Sequence, residues 1–311
     1  MSHILTLTMN PAVDVFTSID RVTPGHKLRC EPAQTHPGGG GINVARVLHR
    51  LGADVRALYT SGGVTGRVLR ELLAQEQIPA QAIEITNETR ESFTVHEGCS
   101  GQDFRFVLPG PLLSEVEWRT CLDATSQAQA ARYVIASGSL PPGVPSDFYA
   151  QMASQARTQG NLFVLDTSGA ALRAALQAGV HLVKPSLREL RDLTGRPLAA
   201  ESDWCEAARG LIHQGRAHIV ALSLGEDGAL LVTAEQAWRA HALKVEVAST
   251  IGAGDSFLAG LVWALDQQHD MAQALRYAMA AGAAALLTSG TSLCQTADIQ
   301  RLLGDVQVQV L

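Results

Sequence analysis

The sequence predicts an α/β fold: one domain, residues 1–311, on a parallel sheet with helices on both faces, carrying a small β-lobe inserted from about 12–35 and 86–108. Two observations carry this. From residue 110 onward, short apolar runs alternate with helical patterns, as strands buried on both faces of a parallel sheet do. The region 83–108 changes character: Phe93-Thr94-Val95-His96 and Phe104-Arg105-Phe106-Val107 are β-rich runs joined by a turn from Gly98 to Gly101, a hairpin signal.

The elements follow in order. Ile4 to Thr8 reads as a strand ending at Asn10-Pro11. Residues 12–35 contain Pro24-Gly25 and Pro32 and read as short strands and turns. Pro37-Gly38-Gly39-Gly40-Gly41 then leads into a helix whose Ile42, Ala45, Leu48 and Leu51 share one face, with Gly52 as its stop. Val55 to Tyr59 is a second strand. Tyr133 to Ala136, Leu162 to Leu165 and His181 to Val183 are buried strands. Ile219 to Leu224 and Ala229 to Val232 read as a hairpin at one edge. Ser256 to Leu265 and Ala272 to Leu287 are the last long helices.

With 46% hydrophobic and 17% charged residues, the chain can bury a sizeable core, and its net charge of −6 gives no reason to expect nucleic acid or an anionic membrane as partner. Any phosphate it binds must be met by a few placed cations and by backbone amides. The five cysteines are scattered with no CxxC pair, which implies neither a disulfide framework nor a zinc site and points to reduced thiols in the cytoplasm. The N-terminal residues lack the charged region and long apolar run of a signal peptide, and the apolar stretch 278–287 is too short to span a bilayer.

The strongest chemical signal is Gly252-Ala253-Gly254-Asp255, opening a helix. Small residues let the backbone approach a ligand, and amides at a helix start attract phosphate. Asp255 beside them could take the proton of a hydroxyl while the amides stabilise charge on a transferred phosphoryl group. The plainer alternative is a glycine turn with Asp255 as a cap. The segment is not a Walker A loop, since no Gly-Lys-Ser/Thr follows. The run 38–41, with Asn43 beyond it, can bring amides against a polyhydroxylated ligand; the alternative is a flexible loop. Asp14 is then a sugar-hydroxyl acceptor or a solvated turn residue. Lys184-Pro185-Ser186 with Glu189 stands at the end of a strand, where α/β sheets place ligands. It reads either as a magnesium-linked group or as a capping box from Ser186 to Glu189, and both can hold.

Taken together, Pro37 to Asn43, Ser137-Gly138-Ser139-Leu140-Pro141-Pro142-Gly143, Lys184 to Glu189, Ser223 to Gly228 and Thr250 to Asp255 resemble the PfkB (ribokinase-like) family of carbohydrate kinases, in order along the whole chain. The resemblance implies a Rossmann-type three-layer sandwich with a β-sheet lid that often joins a homodimer. Within the family, Lys27-Leu28-Arg29-Cys30, Gly38 to Arg46, and Gly290-Thr291 with Leu293-Cys294 look like the isozyme 2 branch of the 6-phosphofructokinases. The 1-phosphofructokinases and tagatose-6-phosphate kinases usually carry a lysine where Gly40 stands.

This resemblance implies ATP-dependent phosphorylation of fructose 6-phosphate at its 1-hydroxyl. Asp255 would be the base, with Gly252, Ala253 and Gly254 around the transferred group. Asp14, Gly39, Gly40, Asn43 and Ser139 would hold the sugar, and Arg90, Arg105 and Lys27 its phosphate, Lys27 across a dimer. Lys184 and Ser186 would stand at ATP, Ser223, Gly225 and Gly228 would wrap it, and Ala283 would pack on its base. Glu189 would hold magnesium through water. Ser249, Ile251, Ala285, Gly290 and Ser292 would form a potassium site. Many family members have Asn where Ser186 stands and Asp where Ser249 stands; the isozyme 2 branch shares the second serine. The rivals are a 1-phosphofructokinase or tagatose-6-phosphate kinase and, in a different class, a non-catalytic sugar-phosphate sensor. An oxidoreductase lacks a dinucleotide fingerprint after the first strand.

Overall fold

The computed structural model describes residues 3–127 and 131–311; the first two residues of the stretch read for a leader lie outside the described residues. In chain order the strands are β1 (Ile4–Thr8), β2 (Ala12–Ile19), β3 (Gln34–Gly38), β4 (Val55–Ser61), β5 (Ala80–Glu84), β6 (Arg90–Glu97), β7 (Gln102–Val107), β8 (Tyr133–Ser137), β9 (Leu162–Asp166), β10 (Val180–Val183), β11 (Ala217–Ser223), β12 (Ala229–Val232), β13 (Ala237–Ala240) and β14 (Val308–Val310). The helices are α1 (Gly40–Arg50), α2 (Gly63–Gln75), α3 (Glu115–Ser126), α4 (Phe148–Gln159), α5 (Gly169–Ala178), α6 (Leu187–Thr194), α7 (Glu201–His213), α8 (Ala253–Asp266), α9 (Met271–Leu286) and α10 (Thr296–Leu303).

The large sheet runs β14-β13-β12-β11-β10-β9-β8-β1-β4-β5. From β5 to β11 every pairing is parallel, and beyond β11 the pairings turn antiparallel. Alternate strand residues feed two cores. Ile4, Tyr59, Ile135 and Val164 pack with α1, α8 and α9 on one face; Leu5, Leu7, Val134 and Phe163 pack with α4, α5 and α7 on the other. That alternation is the period of a strand buried on both sides. The chain leaves β1 for β4 and β5 on one side, then returns to β8 on the other. The strand order therefore reverses between β1 and β8, the place where α/β sheets open a ligand crevice.

The small sheet is β3-β2-β6-β7, and its two strand pairs come from the two segments expected of the lobe. The hairpin β6–β7 pairs Phe93 with Phe106 across the predicted turn. One expectation needs correcting. β11 and β12 do form an antiparallel pair, but β13 and β14 continue the sheet outside them, so they are not its edge. β13 and β14 are only 4 and 3 residues long, too short to announce themselves by pattern. Among the described residues no helix is long and apolar enough to cross a membrane.

Candidate active site

The glycine run is a tightly packed joint. β3 ends at Gly38 and α1 starts at Gly40, so only Gly39 lies between, at φ +111°. A Cβ on Gly38 would lie 2.4 Å from the Asp14 carboxyl carbon, one on Gly40 2.2 Å from Ser137 Oγ, and one on Gly41 2.5 Å from the Leu7 carbonyl. The flexible-loop alternative fails on these contacts. Asp14 is buried over Gly38, and burial pushes its carboxyl up to about 6 against the pull of Arg105, Arg46 and Arg90.

Asp255 stands in the first turn of α8, whose N-cap is Gly252 in the left-handed region at φ +76°. No side chain caps this helix start. A Cβ on Gly252 would lie 2.3 Å from the Leu293 Cδ2 methyl, so the turn accepts only glycine without movement. Asp255 does not act as the cap: its Oδ2 accepts from Asn43 Nδ2 at 2.9 Å, across from α1. Burial is the largest influence on its carboxyl and raises it to about 7. The negative charges of Asp166 and Asp14 add to this, and the Asn43 hydrogen bond and Lys184 oppose it.

Lys184 follows β10 and is buried, with Nζ 3.1 Å from Asp166 Oδ2. Burial disfavours its charge, but Asp166, Asp255 and Glu189 outweigh that and hold the ammonium protonated. Its Nζ lies 3.5 Å from where a Cβ on Gly254 would be, so one fixed cation stands beside the open helix start. Asp166 was not among the residues singled out from sequence. The available signal was an acid closing the apolar run Leu162 to Leu165 at the ligand end of a parallel strand.

Ser186 and Glu189 form the capping box. Ser186 Oγ accepts from Glu189 N at 3.2 Å, and Glu189 Oε2 accepts from Ser186 N at 2.7 Å and from Ser186 Oγ at 2.9 Å. Glu189 Oε1 makes no hydrogen bond among the described residues, so one oxygen of this carboxylate remains for a water-bridged cation. Glu189 itself lines a separate hollow with Ser168, Arg173 and Arg188, and a cleft of about 770 Å³ is lined by Ser223, Gly225, Gly228, Gly254, Phe257 and Ala283. Its size is that of a small-molecule site. Its walls come from α8 and α9, from the turn between β11 and β12, and from the segment after β13 that carries Leu243, Val245 and Val247. Ser223 joins Ser186 by a parallel bridge, which ties this turn to α6.

On the small sheet, Arg90 Nη1 donates to Leu108 O and Nη2 to Asn10 O, each at 3.0 Å, while Nε is buried without a partner. Arg105 is exposed on β7, near enough to Asp14 to be the strongest charge acting on it. Ser139 is exposed in the crevice between β1 and β8, where its Oγ accepts from Asn10 Nδ2 at 3.1 Å. Lys27 is different: it is exposed between β2 and β3, with no hydrogen bond or ion pair among the described residues to bring it to the others.

The proposed potassium set is partly gathered. Ser249 is buried and its Oγ accepts from Ile251 N at 3.3 Å. The Ala285 carbonyl accepts from Thr288 Oγ1 at 3.1 Å, and the Ser292 carbonyl from Arg50 Nη1 at 2.7 Å. Gly290 packs on the Phe16 ring, where a Cβ would lie 2.9 Å away. Thr291 Oγ1, between them, is buried and lies close enough to the Asp14 carboxyl to help lower it. A carbonyl-rich turn is of the chemistry that suits a hard monovalent cation, although two of its carbonyls already have a donor.

The sequence profile of the pfkB family carbohydrate kinases matches residues 7–298. The chain is 45% identical over 300 residues to the ATP-dependent 6-phosphofructokinase isozyme 2 of Mycobacterium tuberculosis, covering 96% of this chain and 88% of that protein. It superposes on the crystal structure of Escherichia coli phosphofructokinase-2 in complex with potassium at TM-score 0.94 and 39% identity, covering 98% of this chain and 99% of the other. Against the same enzyme in complex with fructose-6-phosphate, the values are 0.93 and 38%, with the same coverage. The chain belongs to the pfkB family of carbohydrate kinases.

Proposed function

We propose that this carbohydrate kinase transfers the γ-phosphoryl group of ATP to the 1-hydroxyl of fructose 6-phosphate, giving fructose 1,6-bisphosphate and ADP. The observation that carries the reading is Asp255 at an uncapped helix start, 2.9 Å from Asn43 and flanked by Lys184. The 1-hydroxyl oxygen forms a bond to the γ-phosphorus as the bond to the bridging β-γ oxygen breaks. Asp255 takes the hydroxyl proton. Its carboxyl, pushed up to about 7, is matched to a base working near neutral pH. The amides of Gly252, Ala253 and Gly254 and the Lys184 ammonium face the charge on the moving group.

Asp14, Gly39, Gly40, Asn43 and Ser139 hold the sugar, and Arg90 and Arg105 its phosphate, a task that suits guanidinium. Ser223, Gly225, Gly228 and Ala283 line the nucleotide cleft, with Ser186 and Lys184 at its phosphate end. Glu189 would hold magnesium through water, and the ion would supply charge neutralisation at the phosphates. Ser249, Ile251, Ala285, Gly290 and Ser292 would hold a potassium ion, whose charge would help to order the turn beside Gly252. A cytoplasmic homodimer joined through the small sheet, with Lys27 reaching across, completes the reading.

A substrate panel tests it. With ATP, magnesium and potassium present, kcat/KM is expected to be highest for fructose 6-phosphate. A higher value for fructose 1-phosphate or tagatose 6-phosphate would overturn the substrate assignment. The acid limb of kcat/KM should fall near pH 7, because the base must be ionised.

A further inference from the structure

Arg46 lies one turn beyond Asn43 on α1, and none of it reaches solvent. Each of its three guanidinium nitrogens donates a hydrogen bond. Nε and Nη2 donate to the Glu76 carboxylate just beyond α2, Nε at 2.9 Å. Nη1 donates to Pro37 O at 3.1 Å, to Thr291 O at 2.9 Å and to Asn43 Oδ1 at 3.4 Å. A guanidinium has donors and no acceptor, so facing the Asn43 amide it selects the oxygen. The amide nitrogen is then left to point at Asp255. The two ends of an asparagine amide are nearly the same shape. Without Arg46, a half-turn of that amide would set its oxygen against the Asp255 carboxylate.

We propose that Arg46 is a positioning residue for phosphoryl transfer: it fixes the Asn43 amide as a donor to Asp255 and holds the glycine run and the turn at Thr291 on the same guanidinium. This rests on the reading of Asp255 as the base. The groups facing Asp255 are Asp166 from the end of β9, Lys184 after β10, Asp14 from β2 and Asn43 from α1. Of these, Arg46 bonds only Asn43, and its charge also acts on Asp14. Losing the Asn43 bond removes an influence that lowers the Asp255 carboxyl, so the acid limb of the rate profile moves to higher pH.

The test is a kinetic cycle on the full-length enzyme. Arg46→Met made together with Glu76→Gln, so that no carboxylate is left facing a methionine and only the half-buried Arg50 loses its ion-pair partner, should lower kcat by about 10- to 100-fold with a much smaller change in KM, as misplacement of a reacting group does. Its acid limb should move up in pH. Glu76→Gln alone leaves Nη1 on Asn43 and should lower the melting temperature while keeping kcat within about twofold. In an Asn43→Ala background the Arg46 change should cost much less kcat than it does alone, because coupled residues are non-additive, with only the loss of the Pro37 and Thr291 contacts remaining. Should the double variant not fold, Arg46→Lys keeps the charge beside Glu76 but cannot span to Asn43, and should show the same non-additivity. Fully additive losses, or a Glu76→Gln variant that reproduces the kcat loss, would overturn the proposal. Near-normal turnover in Asp255→Asn would instead sink the base reading itself, so the two failures are distinguishable.

Discussion

Two helix starts meet at this site, α6 and α8, and only one is closed. α6 is capped by its own side chains, with Ser186 and Glu189 each serving the other's backbone amide. α8 starts at Gly252 without a side-chain cap, and the acid of its first turn, Asp255, reaches away to Asn43. Both segments read alike in sequence: a small or polar residue, then an acid three positions on. The difference lies in where the carboxylate points. A closed start has its amides engaged within the chain; an open one keeps them for an anion. Lys184, directly before α6 and beside Gly254, links the two.

The largest effect that could break this contrast is at Asp255. Asp255→Asn should lower kcat by at least about 10³-fold with sugar-phosphate binding kept, the scale of losing a proton acceptor and its charge. Stability gives an independent sign. The folded carboxyl, at about 7, lies above its ordinary value of 3.8, so its stabilising protonation is complete below about pH 4 and lost as pH rises through 7. Above pH 7 the ionised, partly buried carboxylate, facing Asp166 and Asp14, destabilises the fold. Asp255→Asn should therefore melt higher than the parent at pH 8, by a margin that shrinks toward pH 4. A mere cap would show neither the turnover loss nor this trend.

Next comes Gly252. Gly252→Ala puts a methyl into Leu293 and strains a left-handed backbone, so the amides of the open start should tilt. A loss of about 10²-fold in kcat is expected, the scale of one misplaced oxyanion donor. An alanine variant with normal kcat would show that these amides do not face the transferred group. Arg90 is the variant that tests the substrate's own phosphate. Arg90→Ala should raise KM for the sugar phosphate by about 10- to 100-fold, the worth of a charge-assisted contact, with kcat far less affected. An unchanged KM would remove Arg90 from the substrate's own phosphate.

What was legible beforehand follows the same line between local and distant contacts. The glycine run, Asn43, Lys184 and Gly252 to Asp255 declare themselves because small residues before a helix are a signal within a few positions. The β6–β7 hairpin was legible for the same reason. Asp166 and Arg46 were not. Asp166 gains its role only when Lys184, from the next strand, lies 3.1 Å away. Arg46 sits in a helix whose apolar face is Ile42, Ala45 and Leu48, and reads as its solvent side until Glu76 and Thr291 enclose it. β5, with the sequence Ala-Gln-Ala-Ile-Glu, is a half-exposed edge strand with little apolar pattern to detect.

The smallest effect tests the closed start. Ser186→Ala removes the acceptor for the Glu189 amide and should cost about 1 kcal/mol of stability, the usual worth of an N-cap. Ser186→Asn, the residue many family members carry there, should keep stability within a few tenths of a kcal/mol, because asparagine caps as well as serine. If α6 is closed only for its own sake, Ser186→Asn should also leave kcat/KM for magnesium-ATP unchanged. If Glu189 additionally holds magnesium through its unbonded oxygen, the longer amide should alter that value while the melting temperature stays put. Measuring both on one variant separates the cap from the cation, which share the Glu189 carboxylate but use different oxygens of it.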